Sequence, residues 1–396
     1  MKGRYINKFS SYFFKYILMY SIFDTDQLIK FCIENKIPNF RVKQIYYEIF
    51  KNATINFQEM TNLPAELRIL LWQHFQIVNF EIESEHSASD TVKFLLKLSD
   101  DKIIEMVIMK HYHRLEAYET PSDYSLSPDG RKKLNRLTLC ISTQVWCPVG
   151  CIFCVTGKLG LMKNLDYPEI IWQIVMANHR IKKHFGKKTD GSRYAIRNVV
   201  FMGMGEPLLN YDNLVKTIYT MIDQNGLSLS KRHITISTSG IIDGIDKLIR
   251  DNIQVMLALS LHAPNQILRE KLIPTISKRF TLPLLMQAID RYTDATGNRI
   301  FYEYIMIKNM TDTPILAHEL GALLQNRPGH VNLIPYNPNP SMPDLQESDR
   351  DVILAFQDIL QSYQVTTTIR DTLGRKVKGA CGQLGYEKLQ SKLDAK

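Results

Sequence analysis

The chain reads Cys147-Pro148-Val149-Gly150-Cys151-Ile152-Phe153-Cys154 soon after a strand-like run that ends at Ser142. Three thiolates at Cys-x3-Cys-x2-Cys spacing can converge on one soft metal centre. A four-iron cluster held by three cysteines keeps one iron free to bind a substrate or cofactor. Zinc is the alternative, but it usually takes four protein ligands, and no further cysteine or histidine lies close by except Cys140 in the preceding strand. The loop therefore indicates an iron–sulfur centre.

The composition is that of a globular chain with a basic balance. Its 396 residues are 45% hydrophobic and 22% charged, with a net charge of +9. A chain of this length can bury a large core in one or two domains. The positive charge favours a polyanionic partner such as nucleic acid, although it is equally compatible with a merely basic protein. Three of the six cysteines lie in one loop, which fits metal or redox chemistry in a reducing cytoplasm better than a disulfide framework.

An apolar segment lies near the start of the chain, at residues 12–23. Lys15 interrupts it, and the segment is too short to span a bilayer. No small-residue cleavage site follows it. We therefore expect residues 1–21 to form an amphipathic extension docked on the body of a cytoplasmic protein, without membrane association.

The periodicity of the apolar residues divides the rest of the chain. Short helical patterns fill residues 22–84, and alternating β-type patterns fill 85–136, together with a polar insertion over 111–133. Strand and helix patterns alternate over 137–390, and a tail covers 391–396. This alternation predicts an α/β fold with a parallel sheet, as a complete or partial barrel or as an open doubly wound sheet. The predicted strands of this part are 137–142, 198–202, 233–237, 255–261, 300–307, 330–334 and 366–369.

Small and polar residues follow these strands, at the edge where parallel sheets carry their active sites. The candidates are Gly205, Glu206, Ser237, Ser260, Leu261, His262 and Asn337. Glu206 can accept hydrogen bonds from an ammonium group, and a preceding glycine allows a ligand to approach the backbone. Structural alternatives are a tight turn for the glycines and Asn337, helix capping for the serines, and a satisfied buried side chain for His262.

Two further cysteines are candidates for covalent chemistry. Cys381 lies between glycines in a loop predicted to be mobile, where Lys376 and Lys378 are expected to lower the pKa of its thiol. The alternative is an unreactive surface cysteine. Cys140 lies on the strand before the cysteine loop, so we expect it near the mouth of that loop but outside it. Two thiols beyond the three ligands suit a covalent shuttle and its resolution.

The cysteine spacing, with Phe153 before the last cysteine, resembles the radical S-adenosylmethionine (SAM) superfamily. Further motifs resemble the RlmN/Cfr family of radical SAM RNA adenine methyltransferases, in order and over about residues 22–390. These motifs lie at 40–44, 60–64, 138–142, 201–210, 236–240, 260–265, 332–338 and 380–384. Pro207 after Glu206 is typical of the RlmN type, because Cfr-type proteins typically have alanine there. The resemblance implies a partial (β/α)6 radical SAM barrel after a small helical RNA-binding domain and a short β extension.

The resemblance also implies the cofactors and their binding residues. One [4Fe-4S] cluster would be held by Cys147, Cys151 and Cys154, and SAM would chelate its open iron. Glu206 would bind the SAM ammonium group. The other residues implied for the SAM site are Gly205, Ser237, Ser260, Leu261, His262 and Asn337.

The catalytic roles implied by the resemblance use two SAM molecules per turnover. The first would methylate Cys381, and the second would give a 5′-deoxyadenosyl radical that removes hydrogen from this methyl group. The resulting carbon radical would add to an adenine, and Cys140 would release the product by forming a disulfide with Cys381. Glu105 would accept a proton, unless it is an ordinary solvent-facing strand residue.

The implied reaction is methylation at C2 of an adenine in the peptidyl transferase centre of 23S rRNA, with a tRNA adenine as a further candidate. The rivals are a Cfr-like C8 methyltransferase that confers antibiotic resistance and a non-catalytic RNA-binding protein with a structural cluster, which would need neither Cys140 nor Cys381.

An electron donor such as flavodoxin and a monomeric state are expected. Phosphate contacts are predicted for Lys182, Lys183, Lys187, Lys188 and Arg193.

The chain departs from the family pattern at three places. Trp146 precedes the first cluster cysteine, where glycine is common. Lys376 and Lys378 stand where RlmN-type proteins usually have acidic residues. The insertion over 111–133 has no counterpart in the usual pattern.

Overall fold

Ten strands form one mixed sheet whose order follows the chain, in a computed structural model that describes residues 19–77, 80–112, 134–185, 195–339, 341–387 and 389. The strands are β1 (Phe80–Ser87), β2 (Thr91–Leu98), β3 (Ile103–Tyr112), β4 (Leu134–Cys140), β5 (Asn198–Phe201), β6 (Ile234–Thr238), β7 (Met256–Ser260), β8 (Ile300–Met306), β9 (Gly329–Pro335) and β10 (Thr367–Ile369). Strands β1 to β4 pair antiparallel, and β4 to β10 pair parallel.

Helices connect the successive parallel strands. Their bounds are α4 (Tyr167–Phe185), α5 (Tyr211–Ile222), α6 (Ile242–Arg250), α7 (Gln266–Leu272), α8 (Pro274–Arg279), α9 (Leu282–Thr296), α10 (Pro314–Leu324) and α11 (Arg350–Ser362). The sequence did not predict α7 and α8, because helices of 7 and 6 residues give too few turns for a periodic pattern.

The described part of the sheet is a partial barrel. A doubly wound sheet requires a reversal of the strand order, and this sheet has none. Strand β1 does not pair with β10, so the barrel is not closed. The predicted partial barrel is therefore favoured over the open doubly wound sheet. Residues of the parallel strands are largely apolar, as in β8, because helices cover these strands and leave little exposed face. Each fully buried side chain, such as Leu285 or Ile289 of α9, contributes about 1.5–3 kcal/mol from the burial of apolar surface.

The antiparallel strands β1 to β3 extend the barrel sheet at the β4 edge. The register pairs Val107 of β3 with Cys140 of β4. The predicted domain boundaries at residues 84/85 and 136/137 fall inside β1 and β4, because the extension and the core share one continuous sheet. The predicted insertion begins within β3, and its residues 113–133 lie outside the described part of the chain.

A helical module precedes the sheet and contacts its helices. It contains α1 (Thr25–Glu34), α2 (Phe40–Tyr46), a π-helical turn (Tyr47–Lys51) and α3 (Ala65–His74). Lys182 Nζ of α4 donates to the Asn52 carbonyl at 2.9 Å, and Lys51 Nζ donates to Ser228 Oγ. The predicted extension lies almost wholly outside the described residues. Within the described part, no helix is both long and apolar enough to cross a membrane.

Candidate active site

The cysteine loop follows β4 and is fixed on both sides by backbone hydrogen bonds. Cys147 N donates to the Thr156 carbonyl at 3.1 Å, and Ile152 N donates to the carbonyl of Leu272 in α7 at 3.0 Å. Burial raises the pKa of all three thiols, and the negative charge of Cys154 raises the pKa of Cys147 and Cys151 further. Charge repulsion of this kind acts between neighbouring thiols, as expected for side chains of one short loop.

The Cys381 loop lies directly on the cysteine loop. Val155 N donates to the Gly382 carbonyl at 2.9 Å, and Thr156 Oγ1 donates to the Leu384 carbonyl at 2.9 Å. The Cys381 side chain is accessible to solvent, and the protein packed around its thiol raises the pKa of that thiol. We refer to the region where Cys381, Cys140 and the cysteine loop meet as the recess. Tertiary packing thus brings the distant Cys381 beside the end of the cluster motif.

Cys140 is buried at the end of β4 and faces the same recess. Burial, together with the smaller effect of the charge of Cys381, raises the pKa of its thiol to about 12. Both cysteines are free thiols here. The two thiols are close enough to influence each other, which fits the predicted placement of Cys140 at the cluster mouth.

The basic charge beside these thiols comes from Arg370, which follows β10. Burial raises the pKa of Cys381, and the charge of Arg370 works to lower it. The guanidinium Nη1 is 3.3 Å from Glu303 Oε2. The prediction that Lys376 and Lys378 lower this pKa is wrong, because the Lys378 ammonium lies over the Tyr386 ring at 4.0 Å from its centroid and neither lysine affects the thiol.

Glu206 is buried after β5, at the start of a 3-10 turn. Its Oε2 accepts hydrogen bonds from Ser239 N and Ser239 Oγ, both at 2.7 Å, and its Oε1 accepts one from Leu208 N at 3.2 Å. Gly205 has φ +106°, and a side chain there would meet Gln144 Cβ at 2.6 Å. Glycine is therefore required for this turn, and the carboxylate that follows it is rigidly oriented.

The serines and His262 lie at the ends of β6 and β7. Ser237 Oγ and Ser260 Oγ are 3.5 Å apart and half-buried. The ring of His262 packs edge-on against Phe153 of the cysteine loop at 4.8 Å, and its Nδ1 accepts a hydrogen bond from Ile305 N. Burial lowers the pKa of His262 to about 3, so the ring is neutral and supports the loop.

Arg269 of α7 is fully buried between these strand ends, and the sequence analysis missed it. Its guanidinium donates to the carbonyls of Ser260 at 3.0 Å and Leu261 at 2.5 Å, and also to the carbonyl of Ser239. The positive charge of Arg269 works against the rise in the pKa of the Cys151 thiol. The sequence offered no signal for this burial, because no helix was predicted here and an arginine is usually exposed.

Asn337 and Glu105 both contact the Cys381 loop. Asn337 follows β9 and donates from Nδ2 to the Cys381 carbonyl at 3.0 Å, so it is more than a turn residue. Glu105 is 2% exposed, which excludes the alternative of a solvent-facing strand residue. Its Oε1 accepts a hydrogen bond from Gly385 N at 3.0 Å.

The predicted phosphate-binding residues are only partly described. Lys182 and Lys183 are exposed near the end of α4. Lys187, Lys188 and Arg193 lie outside the described residues.

Comparisons with known proteins agree with this geometry. Residues 141–319 match the model of the radical SAM superfamily, and residues 22–77 match that of the ribosomal RNA large subunit methyltransferase N-terminal domain. The chain is 39% identical to a "Probable dual-specificity RNA methyltransferase RlmN" of Dictyoglomus thermophilum, over 91% of this chain and 94% of the relative. A protein of the same name from Thermotoga petrophila is 39% identical over 90% and 94%.

A solved structure extends the likeness to three dimensions. It is the crystal structure of a radical SAM methyltransferase from Sphaerobacter thermophilus, with a TM-score of 0.80 and 33% identity. The match covers 92% of this chain and 99% of that one.

The residues of the recess fit a four-iron cluster and SAM. No group of three His, Cys, Asp or Glu side chains in the described ranges is arranged to hold a single metal ion directly. The cluster fit therefore rests on the donor set: three neighbouring thiols in a half-buried loop, with Glu206 at the adjacent strand end. Buried thiols with raised pKa values need nearby cations to ionise, and iron provides them.

Proposed function

We propose that this chain, which belongs to the RlmN family of radical SAM RNA methyltransferases, transfers a methyl group to C2 of an adenine in 23S rRNA, with tRNA as a second substrate. The observation that carries the proposal is the convergence of Cys381 and Cys140 in one recess beside the cysteine loop. A protein with a purely structural cluster has no use for two such thiols.

The chain binds one [4Fe-4S] cluster and SAM. The proposed cluster ligands are Cys147, Cys151 and Cys154. When bound, these cofactors supply the methyl group and the radical that activates it, which an electrophilic carbon such as adenine C2 requires. We assign Glu206 to the SAM ammonium group, because free lone pairs on its oriented carboxylate can accept further hydrogen bonds.

The remaining residues proposed for the SAM site are Gly205, Ser237, Ser260, Leu261, His262 and Asn337. The half-buried hydroxyls of Ser237 and Ser260 can contact the ligand directly. Leu261 is buried, and we assign it to the wall of the site. His262 would act through Phe153, and Asn337 through the Cys381 carbonyl.

Cys381 is the proposed carrier of the methyl carbon. Its side chain is accessible within the recess, and Arg370 offers a positive charge to the thiolate. A thiolate is the nucleophile that accepts a methyl group, so this charge favours the loading of Cys381.

Cys140 is the proposed resolving thiol. Its thiolate attacks Sγ of Cys381, so that an S–S bond forms and the bond from Sγ to the bridging carbon breaks. The electron pair leaves with that carbon, which takes a proton and becomes the methyl group on adenine. A thiol reductant must then reduce the disulfide before the next turnover.

Several further assignments complete the proposal. Pro207 after Glu206 supports the RlmN type and hence C2 over C8. The exposed lysines at the end of α4 suit RNA phosphates. We propose a monomeric cytoplasmic enzyme that takes electrons from a donor such as flavodoxin.

The test is mass spectrometry of nucleosides from rRNA and tRNA that have been incubated with the anaerobically reconstituted protein, reductant and SAM. We expect 2-methyladenosine at one 23S rRNA position. Formation of 8-methyladenosine would instead identify a Cfr-like enzyme, and the absence of methylated adenosine from both RNAs would overturn the proposal.

A further inference from the structure

A buried lysine on the β extension lies on the same sheet face as the proposed resolving thiol, Cys140. The register pairs Lys93 of β2 with His86 of β1 and with Val107 of β3, and it pairs Val107 with Cys140 of β4. Directly paired residues project from the same side of a sheet. Lys93 and Cys140 therefore face the same side, and Glu105, two residues before Val107, shares it.

Lys93 is 0% exposed and lies between two carboxylates. Its Nζ is 2.9 Å from Oε1 of Glu387 and 3.6 Å from Oε2 of Glu105. A buried ammonium group is costly unless it is paired, so this pairing is the reason that a lysine can occupy the site. Glu387 follows the Cys381 loop, and Lys93 thus joins that loop to β3.

The two oxygens of Glu105 have different surroundings. Oε1 accepts the hydrogen bond from Gly385 N, four residues after Cys381. Oε2 is buried without a hydrogen-bond partner, and 3.6 Å to Lys93 is an ion-pair distance that is too long for a hydrogen bond. Glu105 is therefore held beside the loop with one oxygen able to accept a proton.

We propose that Lys93 positions Glu105 as the proton acceptor. It does so by linking this carboxylate to the Cys381 loop through its ion pair with Glu387. The inference rests on the proposed function. The step it serves is one proton transfer from the adenine adduct, once the unpaired electron of the adduct has been taken up by a one-electron acceptor such as the bound iron–sulfur cluster. The C2–H bond breaks, its electron pair stays on the ring, and an O–H bond forms on Glu105.

The charges around Glu105 set the direction of the expected effects. The pKa of Glu105 is raised to about 7, mainly by burial; the charge of Glu387 adds to this rise, and the charge of Lys93 opposes it. His86 lies behind Glu387, 3.7 Å from its Oε2. Loss of the Lys93 charge therefore raises the pKa of Glu105, and loss of the Glu387 charge lowers it.

The test is the pH dependence of single-turnover RNA methylation from about pH 6 to about pH 9. In Lys93→Met the acid limb should move to higher pH by about one unit, a roughly tenfold loss on that limb that is recovered at high pH. Lys93→Arg keeps the charge and should stay within about threefold of the wild type. Glu387→Gln should move the limb to lower pH.

Opposite shifts in two variants distinguish positioning from a structural role, which would lower the rate equally at every pH. Iron content and Cys381 methylation, measured by mass spectrometry, should remain intact in each variant. A Lys93→Met profile that coincides with the wild type, or a Glu387→Gln shift to higher pH, would overturn the assignment. Wild-type enzyme that forms no methyladenosine would overturn the proposed function itself, before any variant is compared.

Discussion

The side-chain amide of Asn337 donates from Nδ2 to the backbone carbonyl of Cys381 at 3.0 Å. Its Oδ1 accepts a hydrogen bond from Arg375 Nε at 3.2 Å, and Arg375 forms a bidentate ion pair with Glu347. Asn337 therefore joins the end of β9 to the loop that carries the reactive thiol. This contact adds a loop-anchoring role to the SAM-binding role that the family resemblance implies.

Replacing Asn337 with aspartate tests which role dominates. The change keeps the shape and removes the donor, so the Cys381 carbonyl loses its partner at a cost of about 1–3 kcal/mol. We expect at least fivefold slower methylation of Cys381, measured by peptide mass spectrometry, with SAM affinity within about threefold of the wild type. A loss confined to SAM affinity would favour direct SAM binding.

Replacing Cys381 with alanine should abolish RNA methylation, because the other described cysteines are either buried or proposed as cluster ligands. The readout is methyl transfer from labelled SAM to RNA. The control is Cys32→Ala, which removes a buried core thiol in α1 and should retain most of the activity. Unchanged turnover by the Cys381 variant would exclude the methyl-cysteine route.

Replacing Cys140 with alanine should trap RNA on the enzyme, because the bridging carbon stays bonded to Cys381 when no thiol attacks its sulfur. A denaturing gel with labelled RNA should show a protein–RNA band that protease removes. The band should disappear in the double variant Cys140→Ala/Cys381→Ala. Recovery of free methylated RNA alone would count against a resolving role for Cys140.

The Trp146 ring packs against Gly385 of the Cys381 loop. Trp146 has φ +62°, a conformation that costs a non-glycine residue about 1–2 kcal/mol, which explains why glycine suits this position. Its buried ring outweighs that cost, since removal of a buried aromatic side chain costs about 3–5 kcal/mol. We therefore expect Trp146→Gly to lower the thermal midpoint.

A double-mutant cycle isolates this contact. A side chain at Gly385 would meet the Trp146 ring at 2.9 Å, so Gly385→Ala should destabilise the wild type more than it destabilises Trp146→Gly. The difference should be about 1 kcal/mol or more, from thermal unfolding under anaerobic conditions. Additive effects would show that the two residues do not interact.

Replacing Arg269 with methionine should be strongly destabilising. The change leaves the buried carbonyls of Ser239, Ser260 and Leu261 without their donor, at a cost of about 1–3 kcal/mol for each unsatisfied group. A matched control is Arg279→Met, because the Arg279 side chain is 69% exposed and its ion pair with Asp243 contributes about 0–1 kcal/mol. Urea unfolding monitored by fluorescence compares the two variants, and equal midpoints would contradict the structural role of Arg269.

Local features of the chain were predictable because they depend on near neighbours in sequence. Spacing identified the cysteine loop, and apolar periodicity located the parallel strands and the helices longer than two turns. The residues after the strands, such as Glu206, followed from the rule that parallel strands end at one edge. The backbone conformation at residue 205, with φ +106°, favours glycine as a local property of the turn.

The sequence by itself determined the class of chemistry: three clustered cysteines, an α/β chain and two additional thiols. Only the tertiary structure decided which residues meet in the recess. The pairing of Cys140 with Val107 and of Val107 with Lys93 depends on sheet register, and the place of Cys381 depends on loop docking. The burial of Arg269 and Lys93 is likewise decided by long-range packing, because a basic residue is buried only where distant chain segments supply its partners.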